Sequence, residues 1–178
     1  MTSNNNISKV PKGFLMDFEK LESFGWTDCN LGPTLRYGSL EFHSEALRGI
    51  YLYGDSISSL EPYAITGLMV DTKIDFRFNE FSELPEVPFR PMIEVLSQEQ
   101  GYIDMAVNPI ECGCSMAWLV RNPAFLRAVH GGQCTDGTFF EDLEPEAFQD
   151  CIEMPPPFSG DFSDSIASDR ILDIHVYP

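Results

Sequence analysis

Between Ala128 and Asp169 the chain contains no lysine and no arginine. The same stretch carries ten carboxylates: Asp136, Glu141, Asp142, Glu144, Glu146, Asp150, Glu153, Asp161, Asp164 and Asp169. A surface of one sign repels nucleic acid, anionic lipid and acidic proteins, and it attracts basic ones. The partner expected from charge is therefore a basic protein, with no nucleic acid and no membrane. Other absences narrow the chemistry. Gly131-Gly132 is followed by Gln133 and Cys134, not by the Lys and Ser/Thr of a phosphate-binding loop. H-E-x-x-H and G-x-S-x-G are both missing. Asp161-Phe162-Ser163-Asp164-Ser165 starts like a calcium loop but lacks the central glycine and closing glutamate. Uncharged runs stop at about ten residues, against the roughly 20 needed to cross a bilayer. The opening Met1-Thr2-Ser3-Asn4-Asn5-Asn6 has no basic segment followed by an apolar core. The five cysteines are an odd number, which without a signal reads as reduced thiols rather than a disulfide framework. Together these features predict a cytoplasmic chain.

What is present points to a folded domain. The 178 residues include 14 phenylalanines, enough apolar surface to offset ordering entropy. The net charge of −17 is unevenly spread. Residues 1–50 hold six acids and five bases, residues 51–100 nine and three, and residues 101–178 thirteen and three. Residues 1–12 read as a flexible arm and 13–178 as a single α+β domain, with no internal repeat visible. A short helix is predicted over Met16 to Phe24, stopped by Gly25. Strands are predicted at Leu40 to His43, Gly49 to Tyr53, Tyr63 to Val70, Lys73 to Phe78 and Ile171 to Tyr177. Lys73 to Phe78 is the clearest, with Ile74, Phe76 and Phe78 on one side and Lys73, Asp75 and Arg77 on the other. Pro91 opens a helix through Val95 to Gln98, and Cys114 to Arg121 is a further helical stretch. Asn122-Pro123 reads as the cap and first turn of a helix to His130, ended by Gly131-Gly132. A last helix is predicted from Pro145 to Met154, burying Ala147, Phe148, Cys151 and Ile152. The expected architecture is α+β: a mostly antiparallel sheet with three to five short helices packed on one face.

Three constellations could carry function. In the first, Asp136, Glu141, Asp142, Glu144, Glu146, Asp150 and Glu153 form an acidic surface. Phe139 or Phe140 provides an apolar anchor beside it. Adjacent phenylalanines on a strand cannot both point inward. Like charges four residues apart weaken a helix by a few tenths of a kcal/mol, and only a cationic partner compensates. The function expected is a non-catalytic inhibitor that neutralises a basic toxin, nuclease or defence effector. Bacterial immunity proteins and phage inhibitors do this as classes, and steering by charge speeds encounter. No cofactor is required. The second constellation is a zinc set of Cys112, Cys114, His130 and Cys134. The third is a thiol nucleophile at Cys112 or Cys114 with His130 or His175 as base. Either of these would make the chain a small enzyme. The alternative to all three is an assembly protein whose acidity only keeps it dissolved.

Overall fold

The computed structural model describes residues 13–151, together with Pro11 and the strand at residues 2–3. The predicted strand at Ile171 to Tyr177, Glu153, Asp161, Asp164 and His175 lie outside the described residues. The chain winds as a coil. Its first two turns each contribute three short strands: β2 (Ser23–Thr27), β3 (Thr34–Leu35) and β4 (Leu40–Glu41), then β5 (Gly49–Tyr51), β6 (Ser59–Leu60) and β7 (Ile65–Thr66). The third turn has β8 (Lys73–Asp75) and helix α1 (Glu86–Leu96). The fourth has β9 (Tyr102–Asp104), α2 (Ala117–Val120) and α3 (Pro123–Arg127), and the fifth starts with β10 (Val129–His130). Stacking the turns builds a sheet in the order β2-β5-β8-β9-β10, with β1 (Thr2–Ser3) on the β2 edge. Every pair in it is parallel. On the other side of the core, β3 pairs with β6 and β4 with β7, again in parallel.

This corrects the expected antiparallel sheet. Consecutive strands in the chain are not hairpin partners. Each strand meets its neighbour only after a full circuit, so both run the same way. The absence of a repeat is corrected as well. Phe24, Ile50, Ile74, Ile103 and Val129 occupy one register row at spacings of 24 to 29 residues. Around the first four the pattern recurs: Phe24-x-Trp26-x-x-Cys29-x-Leu31, Ile50-x-Leu52-x-x-Asp55-x-Ile57, Ile74-x-Phe76-x-x-Asn79-x-Phe81 and Ile103-x-Met105-x-x-Asn108-x-Ile110. All of the apolar members are buried. Alternating apolar positions, a polar or cysteine position three later and a period in the twenties are the arrangement of a solenoid of stacked repeats.

The polar position holds adjacent turns together. Asn79 Nδ2 donates to the carbonyls of Leu52 (2.7 Å) and Phe76 (3.0 Å), while its Oδ1 accepts from the backbone N–H groups of Asp55 and Ile57. Asn108 donates to Phe76 (2.9 Å) and Met105 (3.0 Å) and accepts from Phe81. These amides satisfy backbone groups that a coil of short strands would otherwise bury unpaired. Asp55 fills the same position and accepts from the Cys29 N–H at 2.7 Å. Its second oxygen is buried with no partner among the described residues.

The cysteines resolve differently from the expectation. Cys29 is a buried member of the ladder. The other four form two disulfides, Cys112–Cys134 and Cys114–Cys151. These bridges belong to an oxidising environment, so the cytoplasmic reading is overturned. Other local predictions also change. Residues 23–27 form a strand rather than the end of a helix, because Phe24 and Trp26 alternate into the core beside β5. Pro91 lies inside α1, not at its start. The predicted helix from Pro145 is a single 3₁₀ turn, Pro145–Phe148, with Ala147 exposed. Arg121 Nη2 takes the carbonyls of Phe148, Gln149 and Cys151, and Cys151 is tied to Cys114, so no α-helical ladder develops there. Among the described residues no helix is long and apolar enough to cross a membrane.

Candidate functional site: the open face of the sheet

Alternation along each strand sends one set of side chains into the core and the other onto the open face of the parallel sheet. Across neighbouring strands the register aligns Gly25, Tyr51, Asp75, Asp104 and His130 in one row. A second row, one pleat further along, contains Thr27, Tyr53, Arg77 and Ala106. The rows are cross-linked. Arg77 grips Asp75 through Nε (2.9 Å) and Nη2 (2.7 Å) and reaches Asp104 at 3.6 Å. Asp75 raises the proton affinity of the guanidinium further, so this cation stays charged at any accessible pH. The Arg77 guanidinium also lies 5.9 Å from the Tyr53 ring centroid. Tyr102 stacks on His130 with centroids 4.1 Å apart, and Lys73 Nζ sits 5.5 Å from the Tyr102 ring. The result is a mixed, aromatic surface held by cation–π and ion-pair contacts.

The rim just past the strands has an unusual backbone. Asp28, Gly54, Phe78 and Val107 each precede a ladder residue, and all four have left-handed φ, at 55°, 69°, 56° and 60°. This turn lets the following residue point back into the core. Phe78 is thereby flipped outward, and it does not share the buried side of Ile74 and Phe76 as the strand pattern predicted. Phe78 is 50% exposed and Val107 62%. The Phe78 ring meets Tyr53 edge-on at 5.1 Å.

No family model matches the chain. Over 145 residues, 81% of its length, it is 28% identical to the Oplophorus-luciferin 2-monooxygenase non-catalytic subunit of Oplophorus gracilirostris. The chain spans about a third (32%) of that protein's length.

The acidic segment singled out in the sequence lies at the other end of the molecule from β1, wrapped past β10. Asp136, Glu141, Asp142, Glu144, Glu146 and Asp150 are all exposed. Asp136 accepts the Thr138 N–H at 2.9 Å, which holds its carboxyl below the usual range. Of the two phenylalanines, Phe139 is 48% exposed, while Phe140 is buried and packs under Gly132. The expected zinc and thiol sites are overturned. Cys112, Cys114 and Cys134 are spent in disulfides and offer no thiolate, and His130 is engaged with Tyr102 and the Arg127 carbonyl. Sequence reasoning missed the open-face aromatics altogether. Their signal was available: Tyr51 lies between buried Ile50 and Leu52, Tyr53 follows Leu52 and Tyr102 precedes buried Ile103, positions where a wet face is normally short and polar.

Proposed function

We propose that this chain is a non-catalytic, protein-binding segment of an extracytoplasmic protein, and that it docks its partner on the open face of the parallel sheet. The observation that carries this reading is the coincidence of backbone strain with exposure at Phe78 and Val107. A left-handed conformation costs a non-glycine residue about 1–2 kcal/mol. Gly54 takes the same register position without that penalty. Neither Phe78 nor Val107 recovers the cost through full burial. Strain of this kind accompanies contact sites, where a side chain is needed for something outside the fold. Tyr51, Tyr53 and Tyr102 nearby are of the type that dominates interface energetics.

The similar protein's description as a non-catalytic subunit supports a binding role, and the two disulfides support the compartment. The net charge of −17 favours a basic partner, as expected from the sequence, with association that weakens as salt rises. A photo-crosslinking benzoylphenylalanine at position 78 tests the proposal, with one at Tyr37, 65% exposed between β3 and β4 and not among the left-handed residues, as the comparison. In an extracytoplasmic extract of its source, position 78 is expected to capture one basic protein that position 37 does not. Equal capture at the two positions, or none at 78, would argue against the open face.

A further inference from the structure

A separate feature lies beside β10, away from the rim. An open cleft of about 750 Å³ runs between α3, β10 and residues 139–141. Its walls are apolar where Leu126, Val129, Phe139 and Phe140 line it, and it also carries Arg127 and Glu141. Gly132 keeps the floor open to Phe140, since a Cβ there would lie 2.3 Å from the ring. Arg48, Arg77 and Arg90 each hold a carboxylate, and Arg121 holds three backbone carbonyls. Arg127 and Glu141 share this cleft, and in lacking an ion pair they resemble the exposed Arg36, Asp142, Glu144 and Glu146 among the described residues. Among the described residues neither is in an ion pair, with the other or with any third group.

We propose that this cleft binds a small zwitterion with an apolar body, the chemical class of a free apolar or aromatic amino acid. A cation and an anion that share one cleft without neutralising each other match a ligand carrying both signs close together. The ligand carboxylate would meet the Arg127 guanidinium, whose planar fork suits that group. Its ammonium would meet Glu141. Its side chain would leave water for the surface formed by Leu126, Val129, Phe139 and Phe140. The volume falls within the range typical of small-molecule sites. This inference does not depend on the open face binding a protein.

The test is calorimetric titration of the whole chain with four probes: L-tryptophan, L-leucine, tryptamine (no carboxylate) and N-acetyl-L-tryptophan (no ammonium). L-Tryptophan is expected to bind at least tenfold more tightly than tryptamine or the acetylated form. Arg127→Gln should abolish the preference over tryptamine, and Glu141→Gln the preference over N-acetyl-L-tryptophan. Both residues are exposed, so the variants should melt with the parent. Phe139→Ala should weaken L-tryptophan and L-leucine alike. No binding of either amino acid up to about 10 mM, a far weaker affinity than any specific site, overturns the proposal. Binding that ignores both charge substitutions overturns it equally.

Discussion

Replacing Asp55 with asparagine isolates the one charged rung of the ladder. Asp55 is fully buried, and one of its carboxylate oxygens has no partner among the described residues. Burial pushes its carboxyl up from 3.8 to about 6, and the neighbouring Asp28 charge adds to the rise, against the pull of backbone N–H groups at Cys29, Asn30 and Leu31. A folded-state value above the unfolded one means that the folded protein holds this proton more tightly. The associated stability is fully present below 3.8 and is lost as pH rises through about 6. The difference amounts to roughly 3 kcal/mol, at 1.36 kcal/mol per pH unit. An amide keeps the Oδ1 acceptor for the Cys29 N–H. It also supplies a donor toward the carbonyls at Trp26 and Leu52, as Asn79 does one turn later toward Leu52 and Phe76. It has no charge to desolvate. Asp55→Asn should therefore raise Tm at pH 7.5 by about 6–12 °C for a chain of this size. The gap should narrow steadily as pH falls from 7 to 4. Thermal melts of both proteins by circular dichroism across that range provide the measurement. A gap that does not vary with pH, or a variant melting below the parent at pH 7.5, would refute the reasoning.

Other perturbations follow from the same coil. Gly67 has φ +77°, and a Cβ there would sit 1.8 Å from the Phe42 carbonyl oxygen, so Gly67→Ala should lower stability by more than about 2 kcal/mol in a urea titration. Alkylation of the unfolded protein without reductant should modify Cys29 alone, and with reductant all five cysteines, as counted by intact mass. Replacing Cys112 and Cys134 together with serine opens a loop of sequence separation 22 and should cost about 3 kcal/mol, read as a lower Tm. Asn122→Ala removes the Oδ1 that accepts from the Ala124 and Phe125 N–H groups at the start of α3, and should cost about 1 kcal/mol.

Local signals were legible in the sequence where they depend on neighbours in the chain. The Asn122-Pro123 cap is present, although its helix stops at Arg127 because Val129–His130 joins the sheet. Strands occur within the predicted runs at Leu40, Gly49, Ile65 and Lys73. The stacking was not legible, because its signal is spread over four variable rows. The inward pairs change from Phe24/Trp26 to Ile50/Leu52, Ile74/Phe76 and Ile103/Met105. The ladder residue changes from cysteine to aspartate to asparagine, and the period itself drifts. An antiparallel sheet was the natural misreading of closely spaced strands when the circuit between them goes unnoticed. The odd cysteine count misled for a related reason. Cys29 serves the ladder, and only its removal from the tally leaves four residues for two bridges. The open face escaped notice because Phe78 looks apolar and inward by alternation, until the left-handed turn reverses it.

The central claim is that Phe78 and Val107 are held for a partner and not for the fold. Its most direct test is the double variant Phe78→Gly, Val107→Gly, with Tm and non-covalent capture, by the immobilised chain without any crosslinker, of the partner that position 78 identified, measured on the same preparation. The account predicts a Tm equal to or slightly above that of the parent, because glycine relieves the strain, together with loss of capture. A Tm several degrees lower, or capture at the parental level, would contradict it.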